Sequence, residues 1–402
     1  MRQFVLAQIA NFGSVVGGAI TFIALPWLSL VITKSSTASA LVIAFTAIPV
    51  ILLSPFMGSI IDKFGRRRSA IWFELGQGIS VAAVPLLNNA VGITVVSLVV
   101  LSVIKNVFGP GSQTARKSLV PDVAEKAGLS LDRANSIHES VFAAGFAVGP
   151  AIAAFLIGGF DVYAAFWAAG VAALVSTVAM ALIRVTERQE HDPNEEKGNV
   201  FVFALQGIKT LGRIRVLGLV FAGFLMLSVV YIPTEMVVLP RYFNEIQDPR
   251  GLGILITTMA GMSMVTSLAF EWLHKRIGYA NILRIAIGGV AIAMLPMSFL
   301  PAQWLMITLG AVLGAVWGPI SPLLNTVIQK LVAANLRGRV FALEMMMWNV
   351  APLTSFIVVG ICLDAFGVRP VYLTLALLML GAAAILLTRP LLKDLKAIEG
   401  KT

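Results

Sequence analysis

Charge and cysteine are what this sequence has least of. Only 12% of its 402 residues are Asp, Glu, Lys or Arg, one is cysteine and three are histidine. The lone Cys362 excludes an internal disulfide and a thiolate cage for a metal. His138, His191 and His274 are too far apart in sequence to suggest a local metal motif. No nucleotide loop of the G-x-x-x-x-G-K-S/T type occurs, which argues against ATP-driven pumping by this chain alone. Outside one central stretch, no loop gathers the acids that a Mg²⁺-dependent lipid transferase needs, so the chain is not expected to be an enzyme. The short alternating segments of a transmembrane barrel are also missing, replaced by long unbroken apolar runs. Nor is there a cleavable leader pattern, because Arg2 is followed by an apolar run of full spanning length, which should remain as the first helix.

What is present is hydrocarbon. At 58% hydrophobic residues and a mean hydropathy of +0.89, the composition lies outside that of soluble domains and indicates a polytopic membrane protein. A span needs about 20 apolar residues. Apolar runs bounded by charged, Pro or Gly breaks give spans near 4–32, 39–61, 69–88, 92–114, 136–159 and 162–184, then 215–240, 252–272, 281–300, 303–327, 340–362 and 369–388. The expectation is an all-α membrane protein of twelve transmembrane helices in two six-helix halves.

The net charge of +10 points to membrane topology rather than to nucleic acid, because the cations sit in short loops. With both termini on the cytoplasmic side, the inside segments hold 25 Lys and Arg and the outside segments hold four, Lys34, Arg241, Arg250 and Arg369. The inside set includes a 115–135 loop between the fourth and fifth spans. The remaining cation, Lys105, falls within a span. The mixed-charge stretch from Arg184 to Asn199 cannot bury a core and reads as a solvated linker. Phe201, Leu205, Ile208 and Leu211 then recur at helical spacing, as in a helix lying on the inner surface. This divides the chain into an N-terminal bundle 1–185, a linker 186–213, a C-terminal bundle 214–390 and a tail 391–402.

Three stretches carry a family resemblance. Gly58, Asp62, Lys63, Gly65, Arg66, Arg67 and Arg68 fill the pattern G-x-x-x-D-K/R-x-G-R-K/R-K/R between the second and third spans. Lys105-Asn106-Val107-Phe108-Gly109-Pro110-Gly111 resembles R-x-x-Q-G-x-G, with lysine for arginine and Phe108 for glutamine. Gly145-Phe146-Ala147-Val148-Gly149-Pro150, followed by small residues, resembles G-x-x-x-G-P-x-x-G-G. Together they resemble the major facilitator superfamily, and with the basic stretch Leu131 to Ser136 most of all its drug and macrolide efflux branch. The resemblance implies two pseudo-symmetric six-helix bundles and alternating access. It implies a gating role for Asp62 and Arg66, with Gly58, Gly65 and Arg67 of the same motif alongside, a proton-coupling or substrate-facing role at Lys105, and export rather than import from the motif Gly145, Gly149 and Pro150; Glu139 is joined to the gate by its place near the cytoplasmic side and not by the resemblance. For the first motif the plain reading is a topogenic basic loop; for the third it is close helix packing.

Residue chemistry singles out the rest. A cation near mid-bilayer costs at least about 2.5 to 3.5 kcal/mol, so Lys105 should face a partner or a wet cavity, or else only pair with a fixed acid. Glu235, after Tyr231, Pro233 and Thr234, lies about five residues inside the outer end of its span, and a carboxyl in a low-dielectric site is suited to carry a proton. The alternative there is an interfacial carboxylate wetted from outside. Glu74, Glu139 and Glu344 lie nearer the cytoplasmic side, where pairing with loop arginines is expected. Gln8 and Asn11 form a polar stripe on the first helix that lines a cavity or bonds across to the fifth. Trp317 and Asn325 on the tenth helix, and Trp348 and Asn349 beside Met345, Met346 and Met347 on the eleventh, suit an apolar or aromatic ligand of variable shape, or plain core filling.

The function expected is proton-driven efflux of amphipathic small molecules across the cytoplasmic (inner) membrane. No cofactor beyond the proton gradient, no metal and no nucleic acid are expected, with membrane lipids around what should be a monomer. The alternative of the same fold is a nutrient or lipid importer or facilitator. A nontransporting receptor is a third class.

Overall fold

Inside a bilayer each backbone N–H and C=O has to find its partner without water, and a helix does this within a single segment. The computed structural model of the protein describes residues 1–129, 131–184, 215–332, 340, 343–344, 347–348 and 351–387. Among them lie twelve helical segments and no strand: α1 Arg2–Thr33, α2 Ser36–Phe64, α3 Arg66–Val91, α4 Val95–Ala127, α5 Leu131–Gly159, α6 Val162–Leu182, α7 Leu217–Glu245, α8 Pro249–Leu268, α9 Phe270–Met297, α10 in two pieces Gln303–Trp317 and Ile320–Leu331, α11 Ala351–Phe366 and α12 Val368–Leu387. Eleven are long and apolar enough to cross a membrane, and α11 is a shorter apolar helix over its described residues. The expected linker 186–213, its surface helix and the tail 391–402 lie outside the described residues.

Local sequence explains where the helices begin and turn. The Ser35 side chain accepts from Ala38 N–H at the start of α2. Asp161 does the same for Ala164 at the start of α6, and Thr94 with Ser97 forms a reciprocal capping box for α4. Between α2 and α3 the chain reverses at Gly65, with φ 86° and ψ 147°, a conformation that side chains rarely adopt. Gly278, inside α9, repeats that geometry with φ 77° and ψ 162°. The second connection has lost the acid and arginines of the first but keeps its glycine turn.

The 115–135 stretch is not a loop. α4 runs on through Ala127 and α5 begins at Leu131. Ala115, Leu119, Val120, Val123 and Ala124 recur on one helical face and are buried with Phe4, Ala7, Met57, Ile61, Ala70 and Ala179. The cations Lys117 and Lys126 sit on exposed faces, so the segment is an amphipathic extension whose charges disguise it. Gly128, with φ 68°, ends it.

The chain divides into two compact units, Met1–Glu196 with Phe243–Thr257, and Lys197–Tyr242 with Thr258–Thr402. In the first, α1 is the central helix, packed on α5 and α6 and touching α2 and α4. Glycine sets the α1–α5 spacing: a Cβ on Gly149 would lie 2.4 Å from the Ala19 Cβ and 3.1 Å from the Val16 carbonyl oxygen. Gly149→Ala should therefore push two helix backbones apart and destabilise by about 1–3 kcal/mol, read as a lower midpoint in SDS titration of mixed micelles. An unchanged midpoint would mean that α1 and α5 do not pack here. In the second unit α9 packs on α10 and α12.

Candidate functional site

Two clusters hold most of the polar and aromatic groups expected to act, one in each unit. In the first unit the organising element is one face of α4. Lys105, Ser112 and Arg116 are seven and eleven residues apart, close to two and three full turns, so they stack along the same side. The Lys105 ammonium donates to the Thr21 hydroxyl at 3.0 Å, and that hydroxyl in turn lies 2.8 Å from the Gly18 carbonyl. Glu74 on α3 accepts from the Arg116 guanidinium at 2.6 Å and from the Ser112 hydroxyl at 2.5 Å. Glu74 and Arg116 are 2% and 6% exposed, so the pair is buried and internally neutral. Lys105 is half-buried, and no carboxylate among the described residues lies within ion-pair distance of it. It is the uncompensated charge of this face. The neighbouring Asn106 side-chain N–H₂ donates to the Thr46 carbonyl at 2.8 Å. Phe108, where the family pattern has glutamine, lies over Gly76, 2.6 Å from where a Cβ would stand.

The basic motif is anchored by contacts within the same unit. Arg66 pairs with Asp122 of α4 at 3.0 Å, and Arg67 donates to the carbonyls of Met180 and Ala181 at the end of α6. Gly58 and Asp62 fall within α2, but the Asp62 side chain lies outside what the structure describes. Glu139 pairs with Lys117 at 2.9 Å, in the open, with both side chains more than half exposed. It meets a helix lysine there, not the loop arginine expected of it. Gly145 and Gly149 pack on α1. The Pro150 carbonyl stands 3.0 Å from where a Cβ of Gly253 would be, and Arg250 donates to the Gly158 carbonyl at 3.2 Å. The polar stripe on α1 separates: Asn11 donates to the His138 carbonyl on α5 at 3.1 Å, while neither amide atom of the buried Gln8 has a partner.

In the second unit α7 departs from α-helical winding. Two π-helical turns, Leu227–Tyr231 and Thr234–Val238, flank Pro233, whose missing N–H disturbs the hydrogen-bond ladder. Tyr231 falls in the first widened turn and Glu235 in the second. The Tyr231 ring lies 4.3 Å from Trp317, Trp317 lies 5.8 Å from Trp348, and Trp348 meets Phe224 edge-on at 4.9 Å. Glu235 follows Tyr231 by one turn on α7, and Glu344 precedes Trp348 by the same spacing. Ser228 donates to the Met347 carbonyl at 2.6 Å, holding α7 to the stretch that carries Trp348. Asn325 is half-buried in the second piece of α10 and belongs to no aromatic pair of this cluster. Asn349, Met345 and Met346 lie outside the described residues.

Sequence reasoning missed Arg116 and Asp122, which it left in the 115–135 loop, and Ser112, which it passed over within the fourth span. The signal was there, since spacings of seven and eleven from Lys105 mark a continuous helix face. Phe224 was missed for want of anything but position to distinguish it from other apolar residues. Among the described residues, no cluster of three His, Cys, Asp or Glu is placed to hold a metal ion.

With this geometry in place, the chain can be set beside known proteins. The multidrug efflux pump Tap of Mycobacterium tuberculosis is 31% identical to it over 394 residues, covering 97% of this chain and 94% of that protein. The pump of the same name from Mycolicibacterium fortuitum is 30% identical over 378 residues, covering 93% and 92%. The crystal structure of the nucleoside transporter NupG superposes with a TM-score of 0.72 at 14% identity, covering 99% of both chains, a likeness of fold alone. The model of the Major Facilitator Superfamily matches residues 8–353, and this multi-pass membrane protein belongs to that family.

Proposed function

We propose that this protein is a proton-coupled exporter of amphipathic, drug-like compounds that works by alternating access. The observation that carries the reading is the cluster of Phe224, Tyr231, Trp317 and Trp348 in the second unit, with Glu235 one turn from Tyr231 on the same helix. Aromatic faces bind apolar and cationic compounds of varied shape, and a carboxyl one turn from the same phenol can exchange a proton as such a compound arrives. Lys105 supplies a second intramembrane charge, and Trp348 and Trp317 supply adaptable contact area. Relatives named as multidrug efflux pumps along nearly the full chain favour export over the nutrient or lipid importer.

The same proposal places the protein in the inner membrane as a monomer, with both termini cytoplasmic. The linker 186–213 joins an N-terminal bundle 1–185 to a C-terminal bundle 214–390, ahead of the tail 391–402. The proton gradient serves as the only energy source, with no cofactor and no catalysed reaction. The motif of Gly58, Asp62, Gly65, Arg66 and Arg67 acts as the gate.

Proteoliposomes with an acidic lumen test this with a fluorescent drug outside. Gradient-dependent accumulation is expected, reduced about tenfold or more in Glu235→Gln. Accumulation driven instead by an alkaline lumen would identify a symporter, and flux independent of the gradient would overturn the coupling.

A further inference from the structure

In the first unit, packing leaves one space open beside the charged face of α4. Gly109 follows Lys105 by one turn on that face. The atoms nearest to where its Cβ would stand are the Gln77 Oε1 at 3.6 Å and the Asn106 Oδ1 at 4.0 Å, both at ordinary contact distance. Two other glycines of the same helices, Gly76 and Gly111, are covered by Phe108 and Phe73, each with a ring carbon 2.6 Å from the Cβ position. Gly109 therefore keeps room for about one side chain between α4 and α3. Lys105, Gly109 and Gln77 are all half-buried, so the space can be reached from outside the helix packing.

The groups beside it have hydrogen-bonding capacity to spare. An ammonium has three N–H donors, and Lys105 uses one of them on the Thr21 hydroxyl. That hydroxyl is itself turned to the Gly17 and Gly18 carbonyls. The Gln77 amide has no partner among the described residues, and unlike that of Gln8 it is not sealed off. A half-turn about its last bond presents N–H₂ to the space in place of oxygen. Asn106 takes no such part, since its N–H₂ is committed to the Thr46 carbonyl. Glu74, the acid nearest along this face, is already held by Arg116 and Ser112 and does not serve Lys105 as a counter-ion.

A neutral acceptor such as an ester would fill a spare N–H of Lys105 and leave its charge standing. An anion fills it and neutralises the charge, through a bond roughly twice as strong as one between neutral groups. A cation would be repelled. We propose that Lys105, with Gln77 across the space at Gly109, binds the acidic group of an amphipathic substrate, a carboxylate or an ionised phenol. The inference deepens the export reading, on which it rests for the direction of transport, by naming a chemical class of compound that the first unit selects.

The test is equilibrium binding and needs no gradient. Full-length protein in phosphatidylcholine nanodiscs is titrated with dansyl-labelled undecanoic acid and with its methyl ester, each referenced to empty nanodiscs of the same lipid. The wild type is expected to bind the acid about tenfold more tightly than the ester. Lys105→Met should erase that preference, Lys105→Arg should retain it, and Gly109→Leu, which fills the space, should weaken acid binding about tenfold. Equal affinity of the wild type for acid and ester, or a preference that survives Lys105→Met, would overturn the proposal. So would loss of the preference when chloride replaces gluconate at constant ionic strength, or when phosphatidylglycerol is added to the nanodiscs. The occupant would then be a small inorganic anion or an anionic lipid. Failure of gradient-driven export with the acid preference intact would refute the transport reading alone.

Discussion

Arg116→Ala is expected to lower the stability of the protein by about 3–5 kcal/mol, because it leaves the Glu74 carboxylate buried at 2% exposure with no cation. Glu74→Ala should do similar damage from the other side, stranding a guanidinium whose Nε already has no partner. The Ser112 hydroxyl, 2.5 Å from both groups, offsets only a small part of either loss. Replacing both partners with apolar residues of similar volume, as in Glu74→Met with Arg116→Leu, should recover most of the stability, since burying the ions costs about as much as their attraction returns. The measurement is the SDS-titration midpoint of the two single variants and the double variant in mixed micelles. Additive loss in the double variant would mean that the two side chains do not act as a pair. The exposed Lys117–Glu139 bridge supplies the contrast: solvent screening limits such a pair to at most about 1 kcal/mol.

Lys105→Ala is expected to do the reverse, leaving stability unchanged or higher while abolishing transport. A cation in the membrane interior costs at least about 2.5–3.5 kcal/mol. A hydrogen bond from a charged donor such as the one to Thr21 returns about 1.5–3 kcal/mol. The two terms nearly cancel, and no acid pairs with the ammonium to tip the balance toward stability. A residue that contributes so little to folding at such a depth is explained by what it binds. Drug-stimulated transport in proteoliposomes should fall about tenfold or more in Lys105→Ala, with the unfolding midpoint of the same preparation unmoved. A lower midpoint accompanied by wild-type transport would make Lys105 a structural residue and return the site to the second unit alone.

Much of the architecture was legible because the bilayer imposes it. Each apolar run long enough to span had to become a helix, and the helices fall close to where hydropathy breaks them. Gly65 could be read as a turn from its place in a basic hairpin, and the structure gives it a positive φ. The stretch after Gly111 was illegible for a physical reason. Arg116, Lys117 and Lys126 carry the signature of a loop when read in one dimension, and only their positions around a continuing helix separate buried Arg116 from exposed Lys117.

The candidate site was legible residue by residue but not as an assembly. Lys105, Glu235, Tyr231, Trp317 and Trp348 each stood out by being costly or unusual inside a membrane. That three of them gather with Phe224, on a helix whose two π-helical turns hold Tyr231 and Glu235, could not be read in advance, since local propensity gives no sign of those turns beyond Pro233. Gln8 and Asn11 looked alike in sequence. Three residues apart, they point about 60° apart around α1, which is enough for one to meet a backbone carbonyl of α5 and the other to be buried without a partner.

The central claim is that binding of an amphipathic compound and loss of a proton from Glu235 are one linked event. The most direct measurement is proton release on addition of a transported drug to the purified protein in weakly buffered detergent. The wild type should release protons in proportion to drug bound, and Glu235→Gln should bind drug and release none. Equal proton release by the two proteins would contradict the account.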